Sequence, residues 1–294
     1  MNRKKRSSAL IGLVILLSAA AIAAERIDHS TDRRLNSATL ESYERSTVLT
    51  LAYGDQRDQI GRTIDIPEEL PLGPEGFALA GDGIVILDTL NEEIKQFDTN
   101  GRVENAVKVG RGSDIVAIAP NELLVAVPTS QSVVRVRDAA TTSVAVAEPV
   151  EVFRPEHAKQ FARRGSSARV HSVSPPSYMS RLKNEREGVI ENATTGSTFA
   201  VRTSERLGSL NVLGADGRGN IFVVVEELLN RNDGDVRRTV RKFSPAGELL
   251  AMIEIPIDNH TFPQRDLLVN EDGTIFHMQP LRETLVVQKW TRHE

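Results

Sequence analysis

Histidine is the first residue type to consider for chemistry in this sequence, because it serves as a metal ligand and as a general base. The six histidines are His29, His157, His171, His260, His277 and His293. No two have the spacing of a ligand pair, and no His-Glu-x-x-His pattern occurs. We interpret them as isolated polar or edge histidines. A site gathered in space from several repeats, with an axial divalent metal, remains the alternative.

Carboxylate pairs could supply a general acid and base or bind hard cations. We interpret Glu68-Glu69, Glu92-Glu93 and Glu226-Glu227 as solvated loop charges. The segment 230–235 is superficially similar to a calcium loop, but Gly234 stands where an oxygen ligand is needed and Arg241 replaces the distal Glu. We therefore predict a flexible hairpin insertion there and no calcium site.

Cysteine chemistry and nucleic-acid binding are both disfavoured by composition. The chain has no cysteine, which excludes a disulfide scaffold, a thiolate metal site and a cysteine nucleophile. Arg163-Arg164 and Arg237-Arg238 are local basic pairs, and aromatic residues make up only 4% of the chain, so we expect no nucleic-acid partner. The sequence assigns no catalytic, cofactor-binding or metal-binding residue, and we predict no cofactor.

The N-terminus has the form of a secretory signal peptide. Residues 3–6 read Arg-Lys-Lys-Arg, an uncharged stretch follows from Ser7 to Ala24, and Ala21-Ile22-Ala23 matches an Ala-x-Ala cleavage site. We predict cleavage after Ala23 or Ala24, with an uncleaved anchor as the alternative. The predicted domains are a signal peptide at 1–24, a polar leader at 25–46 and one globular domain at 47–294.

Removal of the signal peptide changes the charge of the protein. Residues 1–24 hold four basic and no acidic residues, so the mature chain has 32 basic against 40 acidic groups, a net charge of −8. This charge favours solubility and disfavours an anionic membrane surface. We expect an exported, periplasmic or secreted monomer without stable membrane insertion after cleavage.

A unit of short strands recurs along the mature chain. In the first copy, two apolar runs flank the Asp-Gly turn 82–83 and an alternating run follows at 93–97. Asp-Gly between apolar runs is a strong hairpin signal. Similar copies occupy 115–136, 210–243 and 266–288. Repeats of this size predict an all-β fold, a β-propeller, in which stacked small sheets cover each other's apolar faces. A β-sandwich is the rival fold.

The internal spacing of the copies is regular. Fourteen residues separate Gly83 from Phe97, Glu122 from Val136, and Gly273 from Val287. The copy at 210–243 has 24 residues from Gly219 to Phe243, and we assign the excess to a charged loop at 227–238. Phe97 and Phe243 are predicted to occupy the same position, with Val136 and Val287 as smaller equivalents. We expect the segment 47–53 to form the outer strand of the last blade and close the ring.

The first copy, from Gly73 to Gly101, resembles an NHL-type propeller repeat. In such repeats an Asp after the second strand and an Asn three residues later usually brace the connecting loop, and Asp88 and Asn91 stand at those positions. The resemblance covers roughly two thirds of the mature chain and indicates fold more than function. Because NHL-type propellers are most often six-bladed, we favour six blades. The turn positions alone give five, which remains possible.

One stretch, 149–207, departs from the repeat pattern. Within it, residues 155–164 are predicted to form a short helix beginning at Pro155, and Pro175-Pro176 ends any continuation. An irregular excursion on a regular ring is a natural place for an added binding surface. A decayed blade is the alternative.

Three functions fit these observations. The favoured one is an exported, non-catalytic binding or scaffold module for a protein, peptide or glycan, with a protein or envelope partner. The second is a propeller enzyme, a lactonase-like hydrolase or lyase, with an axial metal. The third is a structural module of a larger cell-envelope complex.

Overall fold

The computed structural model describes residues 40–63, 71–80, 83–119, 122–128, 132–137, 140–145, 178–229 and 235–293. The predicted signal peptide, residues 25–39 of the predicted leader, and the predicted helix at Pro155 lie outside the described residues. One compact unit begins at Glu41 and runs to the C-terminus. The described part of the chain contains no helix long and apolar enough to cross a membrane.

The described residues form nineteen strands and no α-helix. In chain order the strands are β1 (Tyr43–Ala52), β2 (Gly76–Ala80), β3 (Gly83–Asp88), β4 (Glu93–Phe97), β5 (Val103–Lys108), β6 (Asp114–Ala119), β7 (Glu122–Val127), β8 (Ser132–Arg137), β9 (Ala140–Ala145), β10 (Tyr178–Asn184), β11 (Glu187–Asn192), β12 (Thr198–Arg202), β13 (Arg206–Ala215), β14 (Ile221–Leu228), β15 (Val236–Phe243), β16 (Leu249–Ile255), β17 (Leu267–Val269), β18 (Ile275–Pro280) and β19 (Thr284–Arg292).

These strands form five small antiparallel sheets. The orders are β2-β3-β4-β5, β6-β7-β8-β9, β10-β11-β12, β13-β14-β15-β16 and β1-β19-β18-β17. Successive hairpins suit this pattern because, within each sheet, every strand except β1 pairs with a strand adjacent to it in the sequence. A β-sandwich would instead collect the strands into two sheets. The arrangement is all-β and β-propeller-like, as the repeat pattern predicts.

Buried apolar clusters lie between consecutive sheets. One cluster joins the β2–β5 and β6–β9 sheets, another joins β10–β12 to β13–β16, and a third joins β13–β16 to β17–β19. The fourth packs the closing sheet against β2–β5, with Phe77, Phe97 and Leu285 fully buried. Each sheet is too small to bury its own faces, so these contacts between sheets supply the core.

The N-terminal strand closes the array, as the sequence predicts. β1 pairs antiparallel with β19, although more than 230 residues separate the two in sequence, and it forms the outer edge of the last sheet. Leu49 and Leu51 point into the core, while the alternating positions are exposed. The strand begins at Tyr43, four residues earlier than the predicted boundary at residue 47.

The sheet β10-β11-β12 has three strands, one fewer than each of the other four sheets. The Leu207 N–H donates to the Glu185 carbonyl at 2.6 Å, so the β10–β11 hairpin lies beside the start of β13. Residues 146–177 lie outside the described residues. The count of six blades, with five as the alternative, therefore remains a prediction.

The strand pairing within the sheets confirms three of the four residues that were predicted to occupy the same position in different repeats. Phe97 lies opposite Ile84, Val136 opposite Leu123, and Phe243 opposite Ile221. In the last repeat the equivalent residue is Trp290, opposite Ile275, while Val287 lies opposite Met278. The assignment of Val287 is therefore wrong. The spacing of fourteen residues from Gly273 points to the wrong residue because the turn and the hairpin of this repeat are longer than those of the first repeat.

The predicted insertion in the fourth copy lengthens a hairpin instead of forming one long loop. β14 continues to Leu228 and β15 starts at Val236, so only 229–235 connect them. The part of this connection with the calcium-like sequence, 230–234, lies outside the described residues.

Glu41 anchors the start of the closing strand. Its carboxylate lies 2.8 Å from the buried Lys242 Nζ and 3.5 Å from Arg292 Nη1. We expect Glu41→Gln to lower the free energy of unfolding by about 1–2 kcal/mol, because Lys242 would keep only Asp216, at 3.8 Å, as a charged partner. Urea unfolding should show a much smaller change for Glu44→Gln, an exposed position on the same strand. Equal effects would contradict this role.

Candidate functional site

The first strands of three sheets start at one end of the array, which we call the upper face. Arg265, just before β17, forms a parallel bridge with Gly76 at the start of β2. The Arg265 guanidinium reaches past β2 to Asp114 at the start of β6, with bonds of 2.8 and 2.9 Å. A Cβ on Gly76 would lie 3.3 Å from Arg265 Cβ and 3.4 Å from Ile115 Cγ2. Glycine at this position therefore permits the close approach of three strands.

A second arginine–carboxylate pair lies beside the first. Both terminal nitrogens of Arg238, on β15, donate hydrogen bonds to the Asp266 carboxylate, and the bond from Nη2 is 2.9 Å long. Arg238 Nε lies 3.5 Å from Glu226, which also accepts a bond from Ser209 Oγ at 2.7 Å. Arg265 and Asp266 are consecutive, so two neighbouring side chains tie three sheets together at the upper face. Bidentate pairs of this kind fix geometry as well as charge.

The Asp266 carboxyl is held in its charged form. Burial opposes its ionisation, but the nearby His277 and the Arg238 guanidinium together lower its pKa to about 2. The pKa of Arg238 is raised, because Asp266 and Glu226 outweigh the burial of the guanidinium. The pair is therefore ionic over the whole physiological pH range.

A buried lysine forms a third polar cluster at this face. Lys95, 1% exposed, lies 2.9 Å from Asp88 and 3.2 Å from Glu93, and it also donates to the carbonyls of Gln56 and Gln59. The loop that follows β1 thus covers the end of the first complete sheet. Glu92-Glu93 was predicted to be a solvated pair, and for Glu93 this is wrong, since its side chain is mostly covered.

The brace implied by the NHL resemblance is present. Asn91 Nδ2 donates to Asp88 Oδ2 at 2.8 Å, and the Asn91 N–H donates to Asp88 Oδ1 at 3.3 Å. Asp88 also accepts from the Gly61 N–H at 3.0 Å. The Asp–Asn pair therefore holds both its own loop and the loop that follows β1.

The Glu226-Glu227 and Arg237-Arg238 pairs form internal ion pairs, contrary to expectation. Glu227 is 1% exposed, and its Oε2 accepts from Arg237 and Arg241 at 2.9 Å each. Burial lowers the pKa of Arg241, partly opposed by Glu227. Strand pairing places these charges opposite each other, because Glu227 faces Arg237 and Glu226 faces Arg238. Sequence reasoning missed this because it assigned the residues to a loop.

The histidines do not converge in the described part of the chain. His277 is fully buried on β18, 3.6 Å from Asp266, and is not an edge residue. His260 lies in the loop before β17, and His293 is at the far end of β19. Among the described residues no group of three or more His, Asp or Glu could hold a metal. His29, His157, His171 and Glu68-Glu69 lie outside the described residues, as does Arg163-Arg164.

The loop 256–265 is firmly attached to the upper face. Asp258 accepts from Gln279, and the His260 N–H donates to the Pro280 carbonyl at 2.6 Å. Thr261 is buried against Gly73, where an added Cβ would lie 3.0 Å from Thr261 Oγ1. The Arg265 N–H donates to the Glu75 carbonyl at 3.1 Å. The loop is therefore held at both ends and in its middle.

Phe262 stands out on this loop because its side chain is 70% exposed. Phe77, Phe97, Phe222 and Phe243 are all buried. Leu72, beside Gly73, is 50% exposed. Aromatic residues are enriched where proteins bind partners, so Phe262 is the candidate contact residue of this face. The sequence contained one usable signal, an aromatic residue outside the repeat positions in a connection between repeats.

The comparisons with known proteins give remote structural similarities. No family model and no curated protein matches the sequence. A streptogramin B lyase is similar at 8% identity and TM-score 0.35, covering 85% of this chain and 98% of that chain. Myxococcus xanthus glutaminyl cyclase is similar at 9% identity and TM-score 0.37, covering 87% and 100%. A Xanthomonas campestris gluconolactonase is similar at 10% identity and TM-score 0.31, covering 86% and 100%. The sheet topology carries the fold assignment.

Proposed function

We propose that this protein is an exported, NHL-like β-propeller that acts as a non-catalytic binding module, with a signal peptide at 1–24 and six blades. Its partner is a protein of the cell envelope or periplasm, and the upper face is the recognition surface. The exposed Phe262 ring on the braced loop 256–265 carries this proposal. A preformed loop loses little conformational entropy when a partner binds.

The charge pattern of the upper face favours binding over catalysis. Asp114 and Asp266 are each engaged by an arginine, and Asp88 is engaged by Lys95. A general base or metal ligand would first have to leave its partner, and breaking a buried ion pair is costly. The face is better suited to rigid presentation of side chains than to proton transfer.

We expect Phe262→Ala to abolish partner binding and leave stability within about 0.5 kcal/mol of the wild type, because exposed positions contribute little to folding. The full chain, tagged and cross-linked in whole cells, should give a partner adduct that is lost in this variant. Met252→Ala is the matched control, since it removes an exposed apolar side chain from the outer strand β16. An undiminished adduct with Phe262→Ala would refute the upper face as the recognition surface.

A further inference from the structure

A carboxylate of a different sheet holds the chain beside Phe262. Asp114, at the start of β6, is 2% exposed and lies 151 residues from Arg265, which follows Phe262 closely in the sequence. It accepts from Arg265 Nε at 2.8 Å and from Nη2 at 2.9 Å. Two parallel bonds fix both the distance and the plane of the guanidinium. The buried carboxylate therefore determines where the Arg265 side chain lies.

The backbone at Arg265 is attached to the sheet that lies between β17 and β6. The Arg265 N–H donates to the Glu75 carbonyl at 3.1 Å, and Arg265 forms a parallel bridge with Gly76. The Gln264 N–H donates to the Glu75 carboxylate. Residues 264 and 265 are therefore fixed by main-chain bonds to the first complete sheet and by side-chain bonds to the second.

Pro263 transmits this position to Phe262. It is the single residue between Phe262 and Gln264. The proline ring fixes its own φ at about −65°, and it restricts the residue before it to extended backbone. On the other side of Phe262, Thr261 is buried against Gly73. The backbone of Phe262 therefore has few torsions that can change while the neighbouring residues stay in place.

We infer that Asp114 is a positioning residue of the recognition surface, which acts through Arg265 and Pro263 to hold Phe262 where a partner meets it. The inference rests on the proposed function and adds a residue that is too deeply buried to touch the partner itself. A loop that is already held in one conformation loses less entropy when a partner binds. Loss of the Asp114 bonds should therefore weaken binding although the Phe262 ring is still present.

The first measurement is hydrogen exchange of the full chain, followed by mass spectrometry, and it needs no partner. In Asp114→Asn one acceptor oxygen becomes a donor amide, so the two-bond fork with Arg265 cannot form. We expect the peptide that contains residues 256–265 to exchange at least about tenfold faster, while β3 and β14 keep wild-type rates. Arg265→Lys should have the same effect, because lysine keeps the charge but loses the planar fork.

Glu122→Gln is the matched control. Glu122 is 8% exposed and pairs with Arg135 at 3.0 Å and with Arg137 at 2.9 Å. It lies in the same sheet as Asp114 but at the opposite end, where β6 turns into β7. This variant loses a buried charge from that sheet, and exchange of residues 256–265 should stay within about twofold of the wild type. Equally fast exchange in both variants would mean a general loss of stability and would overturn the positioning role.

The second measurement is the cross-linked partner adduct in whole cells. Its yield should fall at least about fivefold with Asp114→Asn, because the loop must then be ordered on binding, and should be unchanged with Glu122→Gln. Wild-type exchange of residues 256–265 in Asp114→Asn would overturn the inference without any partner. Faster exchange with an undiminished adduct would also overturn it but leave the proposed function intact. Absence of an adduct with the wild type would overturn the proposed function and this inference together.

Discussion

Replacing Lys95 with methionine should lower the free energy of unfolding by about 3 kcal/mol, because it removes one partner of a buried ion pair. Methionine nearly preserves the length of the side chain and fills the same space. Asp88, which is fully buried, would lose its cation at 2.9 Å and keep only its bonds from Asn91 and Gly61. The carbonyls of Gln56 and Gln59 would also lose a donor. Urea unfolding followed by Trp290 fluorescence measures the change.

Lys108→Met is the matched control for this substitution. Lys108 shares the partner Glu93 with Lys95, at 3.5 Å, but its side chain is 74% exposed. Exposed ion pairs contribute about 0–1 kcal/mol, so this variant should be close to the wild type. If the free energy of unfolding fell equally in the two variants, the contribution of Lys95 to stability would not depend on its burial. A Lys95→Met/Asp88→Asn double variant should lose less than the sum of the single changes, because it leaves no uncompensated charge.

Asp266→Asn is expected to destabilise the protein by about 2–3 kcal/mol at neutral pH, because asparagine keeps the shape but deprives the half-buried Arg238 guanidinium of its closest carboxylate. The change also removes the link between β15 and the strand that follows Arg265. Thermal or urea unfolding at pH 7 gives the magnitude. A loss below about 0.5 kcal/mol would mean that Glu226, 3.5 Å from Arg238, suffices as a partner.

The same pair makes a specific contribution to acid stability. The pKa of Asp266 is lowered from 3.8 to about 2 in the folded protein. A carboxyl with a lowered folded pKa stabilises the fold fully above its unfolded pKa and loses this contribution as pH falls through its folded pKa. The contribution of about 2 kcal/mol should therefore disappear between about pH 4 and pH 2. Unfolding curves of the wild type and Asp266→Asn should converge near pH 2, and a constant difference down to pH 2 would contradict the assignment.

Several parts of the fold are predictable because they depend on short stretches of sequence. The Asp-Gly and Asn-Gly turns, the apolar runs after them and the Asp88–Asn91 brace all act within about five residues, where side-chain and backbone preferences decide the conformation. The closing strand could be predicted because an apolar, alternating segment precedes the first repeat and a propeller needs a partner for its last sheet.

The candidate site was only partly predictable. Glu227 and Glu93 were assigned to solvent because paired acidic residues are usually exposed. Strand pairing instead places Glu227 directly opposite Arg237. Glu93 and Lys95 lie two residues apart on β4, so both side chains are on one face of the strand, and the Glu93 carboxylate is 3.2 Å from Lys95 Nζ. The exposure of Phe262 depends on where its loop is fixed, by Thr261 against Gly73 and by Arg265 against β2 and β6, and no local pattern encodes those contacts.

The class of fold, the repeated unit and the residues that form the turns can be predicted from the amino-acid pattern alone, because hydrophobic alternation and turn chemistry are local. The three-dimensional structure was needed to establish the register of the last hairpin, where Trp290 and not Val287 matches Phe97. Only it joined Arg265 to Asp114, which are 151 residues apart. The hairpin register follows from the length of its turn and strands, whereas the Arg265–Asp114 contact arises only when separate sheets pack together, and the free energy of that packing is a property of the assembled molecule.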